Sequence, residues 1–352
     1  MNRRKSILFL VLALSLGMML MVACAGQEAK PAEKPKTAEP AKPAEKPQPV
    51  VLKFSDVNND QSAAGVFCKT FADLVSKKTD GRVKVETYYN GTLTGNNIEG
   101  TQTGIAHFSQ HDVSEITDLC ALLSILEAPY MYETDEQLYK VTAPDSPIMK
   151  KINDTMKGKG VRLLTTYSWG NQNLLTTKKP IYKESDLKGV KIRVLPSKIF
   201  METMSAMGGT PTPMSWGEVI TSLVTGVIDG TGMPFTYIVP AGLHEMEKFV
   251  MMTGHNPTLS GVFMNEAAWN KLSPQDQKAL EGAGNEARYA VTKYINDTNG
   301  QFRQEMLKKG VTIIEGDKLK FDKVKIRETV FAKYKGDWGD TYQQILDMLK
   351  TK

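Results

Sequence analysis

Within DLKGVKIRVLPS, residues 186–197, Val190, Ile192 and Val194 occupy one parity of a short strand, while Lys191, Arg193 and Leu195 occupy the other, between Gly189 and Pro196. A guanidinium fixed on a strand presents a planar fork that can hold a carboxylate through two parallel hydrogen bonds. The ordinary alternative is an arginine on an outward, solvated strand face, because arginine is rarely buried without a partner.

Other chemistry-bearing residues are sparse. His107 and His111 stand four apart, a spacing that converges on a metal from a helix, but GIAHF reads as strand, where it does not converge. His244 has Glu247 nearby and His255 precedes Asn256 and Pro257, and neither has a recognisable catalytic partner. The chain carries no Gly-x-Ser-x-Gly elbow, Walker A loop, Cys-x-x-Cys pair or His-Glu-x-x-His run. A binding protein is therefore expected, not an enzyme, with no cofactor and no metal.

The elements that must position Arg193 follow an export-like start. MNRRKSILFLVLALSLGMMLMVACAG has basic residues (Arg3, Arg4, Lys5), an apolar run from Ile7 to about Val22, and small residues around Cys24. The run is at the short end for a membrane span, which favours a cleaved signal over an uncleaved anchor. Residues 27–49 are almost entirely Pro, Ala, Lys and Glu, a composition that buries no core and forms a semi-extended spacer. The net charge of +5 draws +3 from the start and about +1 from the spacer, so the folded body is nearly neutral. That removes the electrostatic case for nucleic acid. Cys68 and Cys120 are expected as buried thiols rather than a bridge, since two cysteines alone do not specify pairing.

From Val50 the chain reads as strand VVLKFSDV, helix over 62–78 and strand RVKVETYY, a β-α-β start. The pattern recurs with strands GVRLLTTY and GVKIRV, a helix over 198–207, and a helix from Ser215 carrying Val219, Ile220, Leu223 and Val224. The fold class is α/β. Ser273 and Pro274 form an N-cap and first-turn pair, and the chain stays helix-compatible to Lys309. At ~1.5 Å per residue this rod is roughly 54 Å long, too long for one small lobe, so it is expected to run along two.

DLKGVKIRV, GGTPTPMSWGEVITSLVTGVIDG and HEMEKFVMMTGH together resemble the DctP-type extracytoplasmic solute receptors of TRAP transporters. VLKFSDV, FADLVSKKTDGRVKVETYYNGTL and TGIAHF agree, and the resemblance covers essentially residues 50–345. It implies a two-lobed periplasmic-binding-protein-like fold with a ligand cleft between lobes, joined by crossing strands and a long helix. The expected divisions are 1–23 signal, 24–49 lipidated cysteine and spacer, 50–170 and 259–298 lobe I, and 171–258 and 299–352 lobe II. The stretch MVAC resembles a bacterial lipobox, with Met21 where leucine is usual and Cys24 as the lipid acceptor.

The resemblance places the ligand's carboxylate on Arg193. Trp216, in PMSWGEV, matches a position that is often a pocket-lining aromatic. Asn173, in WGNQNLLTTKKPI, stands where many relatives have a second arginine, and Met233, in DGTGMP, replaces a ligand-facing asparagine. Trp169, Asn96 and Asp112 are further candidate contacts, although GTLTGNNIEGTQTG is shorter than usual in the family. The pocket so implied has one strong anion anchor and an aromatic wall, which favours a monocarboxylate with an apolar or aromatic body over a dicarboxylate, a sulfonate or a zwitterion. The expected partners are that organic acid, TRAP permease subunits and a membrane through Cys24, with the receptor itself monomeric and extracytoplasmic. A ligand sensor signalling to a membrane kinase is the alternative on the same fold.

Overall fold

The computed structural model of the protein describes residues 48–95 and 97–350; Cys24 and Asn96 lie outside the described residues. No helix among the described residues is long and apolar enough to cross a membrane.

The first three strands, β1 (Val50–Ser55), β2 (Val83–Tyr88) and β3 (Phe108–Asp112), form a parallel set with β1 in the middle. The connection from β1 to β2 is the Ala63–Lys78 helix, which starts where the Ser62 hydroxyl accepts from Gly65 N, an ordinary N-cap. Its Phe67 and Phe71 are fully buried and meet Phe54 of β1, Phe108 of β3 and Tyr167 in one aromatic core. The 103–108 stretch is strand only at its end: Gly104 takes φ +82 after a short helix, Glu99–Gln102, and β3 begins at Phe108.

Next comes β4 (Val161–Thr176), 16 residues long where a strand of half that length was expected. Through Asn171 it pairs with β9 (Pro257–Asn265). From Gln172 onward it pairs with β7 (Gly230–Pro234) on one side and β8 (Phe249–Met251) on the other. β5 (Lys191–Val194) and β6 (Thr210–Pro213) extend the β7 side in parallel, and β10 (Thr312–Ile314) extends β8. The strand order β2-β1-β3-β9-β4-β7-β5-β6 therefore holds two parallel sets joined by the crossing pair β4 and β9. This is the two-lobed α/β architecture that the sequence implied.

The Pro274–Lys308 helix begins as expected, with Ser273 capping Asp276 N and proline in the first turn. Leu280, Ala283, Ala287, Val291 and Ile295 join the aromatic core under β1. Met306, near the other end, packs with Leu175, Val219 and Val250 in a second core. One rod thus contributes to the cores of both lobes.

The Trp216–Thr225 helix departs from a simple buried stripe. Val219 and Leu223 are buried, whereas Ile220 is 39% and Val224 73% exposed. Cys68 and Cys120 are both buried, unpaired thiols.

Candidate functional site

Arg193 lies on β5 between β6 and β7, facing Thr212 on one side and Thr231 on the other. A central parallel strand is covered on both faces, and both parities of β5 are buried from Ile192 onward. Arg193 is accordingly only 3% exposed, not an outward solvated residue. Its Nε and Nη2 donate to the Met214 carbonyl at 3.2 and 3.1 Å, and Nη1 donates to Met233 Sδ at 3.6 Å. A guanidinium has five N–H donors, so one hydrogen on each terminal nitrogen is left without an acceptor among the described residues. Burial pulls its pKa down to about 10, which leaves it charged at neutral pH.

The guanidinium lines a cavity of about 350 Å³. Asp112, Trp169, Trp216 and Met233 line the same space, together with Asn58, Gln172, Leu195, Tyr237 and Thr258. Among the lining residues Arg193 is the one cation and Asp112 the one acid. The Trp216 ring centroid is 5.9 Å from the guanidinium carbon, within cation–π range. Trp216 leads its helix because Ser215 and Glu218 form a capping box, and the residue lines the cavity while staying 43% exposed.

The back wall comes from the crossing strands. Trp169 Nε1 donates to Ser260 Oγ at 2.8 Å, and its ring packs against Tyr237 with centroids 5.0 Å apart. Gln172 Nε2 donates to Thr258 Oγ1 at 2.8 Å. Residues 169 and 172 would face opposite ways in a regular strand. A register shift between Ser168 and Asn171, with Gly170 at φ +94, inserts one extra residue and turns both side chains into the cavity.

The same bulge sends Asn173 elsewhere. Its Nδ2 donates to Asn171 O at 3.0 Å and its Oδ1 accepts from Gly254 N at 3.1 Å, and it does not line the cavity. The histidines have local duties: His107 Nδ1 accepts from Lys53 N at 2.8 Å, His111 Nε2 meets Ser109 Oγ at 2.9 Å, and His255 Nδ1 meets Thr253 Oγ1 at 2.8 Å.

Asp112 ends β3, and burial together with the nearby Glu115 carboxylate pushes its pKa up to about 7, with Arg193 pulling the other way. The two are beyond salt-bridge reach of one another. Tyr237, Gln172, Thr258 and Asn58 were not singled out from sequence. The aromatic at 237 follows MPFT closely enough that a helical turn after Met233 would have brought it forward.

A two-lobed α/β body with a charged, aromatic-walled cavity between crossing strands defines a solute-binding protein. The sequence matches the family described as bacterial extracellular solute-binding protein, family 7, across residues 54–335, and the chain belongs to that family, the DctP-type receptors of TRAP transporters. It is 31% identical over 278 residues to a solute-binding protein of Roseobacter denitrificans, covering 78% of this chain and 84% of the relative. It is 28% identical over 255 residues to one from Chromohalobacter salexigens, covering 72% and 75%. The crystal structure of a TRAP periplasmic solute binding protein from a Polaromonas species, bound to D-erythronate, matches with a TM-score of 0.72 at 26% identity, over 86% of this chain and 99% of that one.

Proposed function

We propose that this protein captures a small organic acid outside the cytoplasm, pairs its carboxylate with Arg193, and hands it to a TRAP-type membrane permease. One observation carries the reading: a guanidinium 3% exposed, with two N–H groups uncommitted among the described residues, lines a cavity whose described lining holds no other cation. A buried charge is costly unless it is paired and hydrogen-bonded. Met233 Sδ is a weak acceptor, readily displaced by a carboxylate oxygen, so Nη1 and Nη2 together offer the bidentate fork.

Trp169, Trp216, Tyr237 and Met233 favour a monocarboxylate whose body is apolar or aromatic. A dicarboxylate would bring its second charge toward Asp112 and the field of Glu115. The D-erythronate bound by the Polaromonas relative carries a single carboxylate, which agrees with one anion anchor, on a hydroxylated rather than apolar body. Residues 50–170 with 259–298, and 171–258 with 299–352, act as the two bodies that close over the ligand. Cys24 carries a lipid, and the Pro/Ala/Lys/Glu spacer holds the receptor a short distance from the membrane.

Native mass spectrometry of the purified receptor tests the substrate class. A retained small carboxylic acid supports it; a retained neutral sugar or an amine without an acid group contradicts it.

A further inference from the structure

Asp112 stands at the N-cap of the short 3-10 turn Val113–Ile116, with φ −60 and ψ 130. Aspartate is favoured there because its carboxylate accepts from the turn's first N–H groups, yet this side chain makes no capping hydrogen bond. No other hydrogen bond or ion pair holds it among the described residues, and it lines the cavity with Arg193. Its backbone is fixed by pairing with Ser260, whose hydroxyl also anchors Trp169. An acid of the capping type has thus been turned away from the cap and into the ligand space.

A carboxylate seated on Arg193 changes the setting of Asp112. Arg193 is the positive charge that favours its ionised form, while burial and Glu115 oppose it. Once the ligand occupies the guanidinium that pull is cancelled, so Asp112 must either take up a proton or face a hydrogen-bond donor, and while it is ionised a second acceptor on the ligand would add repulsion. A hydrogen-bond donor on the ligand relieves it.

We propose that the natural ligand carries, beside its carboxylate, a hydroxyl or ammonium group that donates to Asp112, and that Asp112 selects such acids over their plain counterparts. This rests on the carboxylate reading of Arg193 and narrows it.

Calorimetry with two matched sets tests the assignment: propanoate, lactate and alanine, and phenylpropanoate, phenyllactate and phenylalanine. In the set whose body fits, the donor-bearing acid should bind about ten- to a hundredfold tighter than the plain acid, the range of a hydrogen bond to a charged group. Lactate and phenyllactate report the hydroxyl, alanine and phenylalanine the ammonium. Asp112→Asn and Asp112→Ala should erase that preference, weakening the donor-bearing acid while leaving the plain acid equal or tighter. The wild-type comparison stands even if a variant folds poorly. Equal affinity within each set, with Asp112→Asn neutral and Arg193→Gln abolishing binding, overturns the role of Asp112 and leaves the carboxylate reading intact. Binding of none of the six acids, or full binding by Arg193→Gln, overturns the carboxylate reading and this inference with it.

Discussion

Arg193 donates twice to a single carbonyl, that of Met214, through Nε at 3.2 Å and Nη2 at 3.1 Å. This fastens one edge of the guanidinium to the segment that leads into the Trp216 helix and leaves its other edge toward Met233 and the cavity. The anchor also ties the guanidinium to the segment that carries Trp216, whose ring lies 5.9 Å from the same group. On the proposed reading, a carboxylate would meet a fork whose orientation is set before it arrives, which would reduce the ordering cost of binding.

Stability should fall as pH rises from 6.5 to 8. Burial raises Glu247 to about 8 and holds Glu127 well above the carboxylate range. The folded chain therefore keeps protons that the unfolded chain has released, and stability declines by about 1.4 kcal/mol per pH unit for each such proton. Burial lowers His111 to about 4 and His255 to about 3, which acts in the opposite sense, but only below the ordinary imidazole value of 6.5. Urea unfolding at the two pH values checks this. Glu247→Gln keeps an acceptor for Thr231 Oγ1 and should flatten the decline; a wild-type slope in that variant would remove Glu247 from the account.

Gly170→Ala isolates the bulge in β4. A Cβ at Gly170 meets nothing within 4 Å, so its cost is backbone conformation alone at φ +94. The variant should lose about 1–2 kcal/mol, the scale of a left-handed residue that carries a side chain. Denaturant titration reads this directly, and wild-type stability would mean that the strand reaches the same register without the left-handed residue.

Anchoring is tested on the full-length chain in its bacterial host. Labelled fatty acid should enter the wild type and not Cys24→Ser, and the variant should no longer partition as a lipid-modified protein. Equal labelling of the two would sink the assignment of Cys24, which rests on MVAC and the spacer.

Local elements were legible because their signals are local. Ser62, Ser215 and Ser273 each precede an amphipathic run, and each caps a helix beginning at the next residue. Arg193 stood out because a charge inside an alternating strand is anomalous, and its burial follows from β6 and β7 flanking it. Trp169 and Asn173 share parity in sequence, but one extra residue at Gly170 puts only the tryptophan in the cavity. No local pattern announces that bulge, since it is defined against β9, far along the chain. The length of β4 is hidden from local patterns for a related reason: its second half pairs with β7 and β8, which the sequence reaches only after residue 229. The exposed Ile220 and Val224 show the limit of periodicity, which marks an apolar face without saying whether anything covers it.

The central claim is that Arg193 binds a carboxylate as a bidentate fork. Calorimetry of the co-purifying acid and of its primary amide, on the wild type, Arg193→Lys and Arg193→Ala, tests it most directly. The wild type should prefer the acid. Arg193→Ala should lose about 2–5 kcal/mol of binding, the cost of removing one partner from a buried, hydrogen-bonded charge pair, and with it the preference over the amide. Arg193→Lys, which keeps the charge without the planar fork, should fall between. Wild-type affinity for the acid in folded Arg193→Ala, or equal binding of acid and amide by the wild type, would contradict the account.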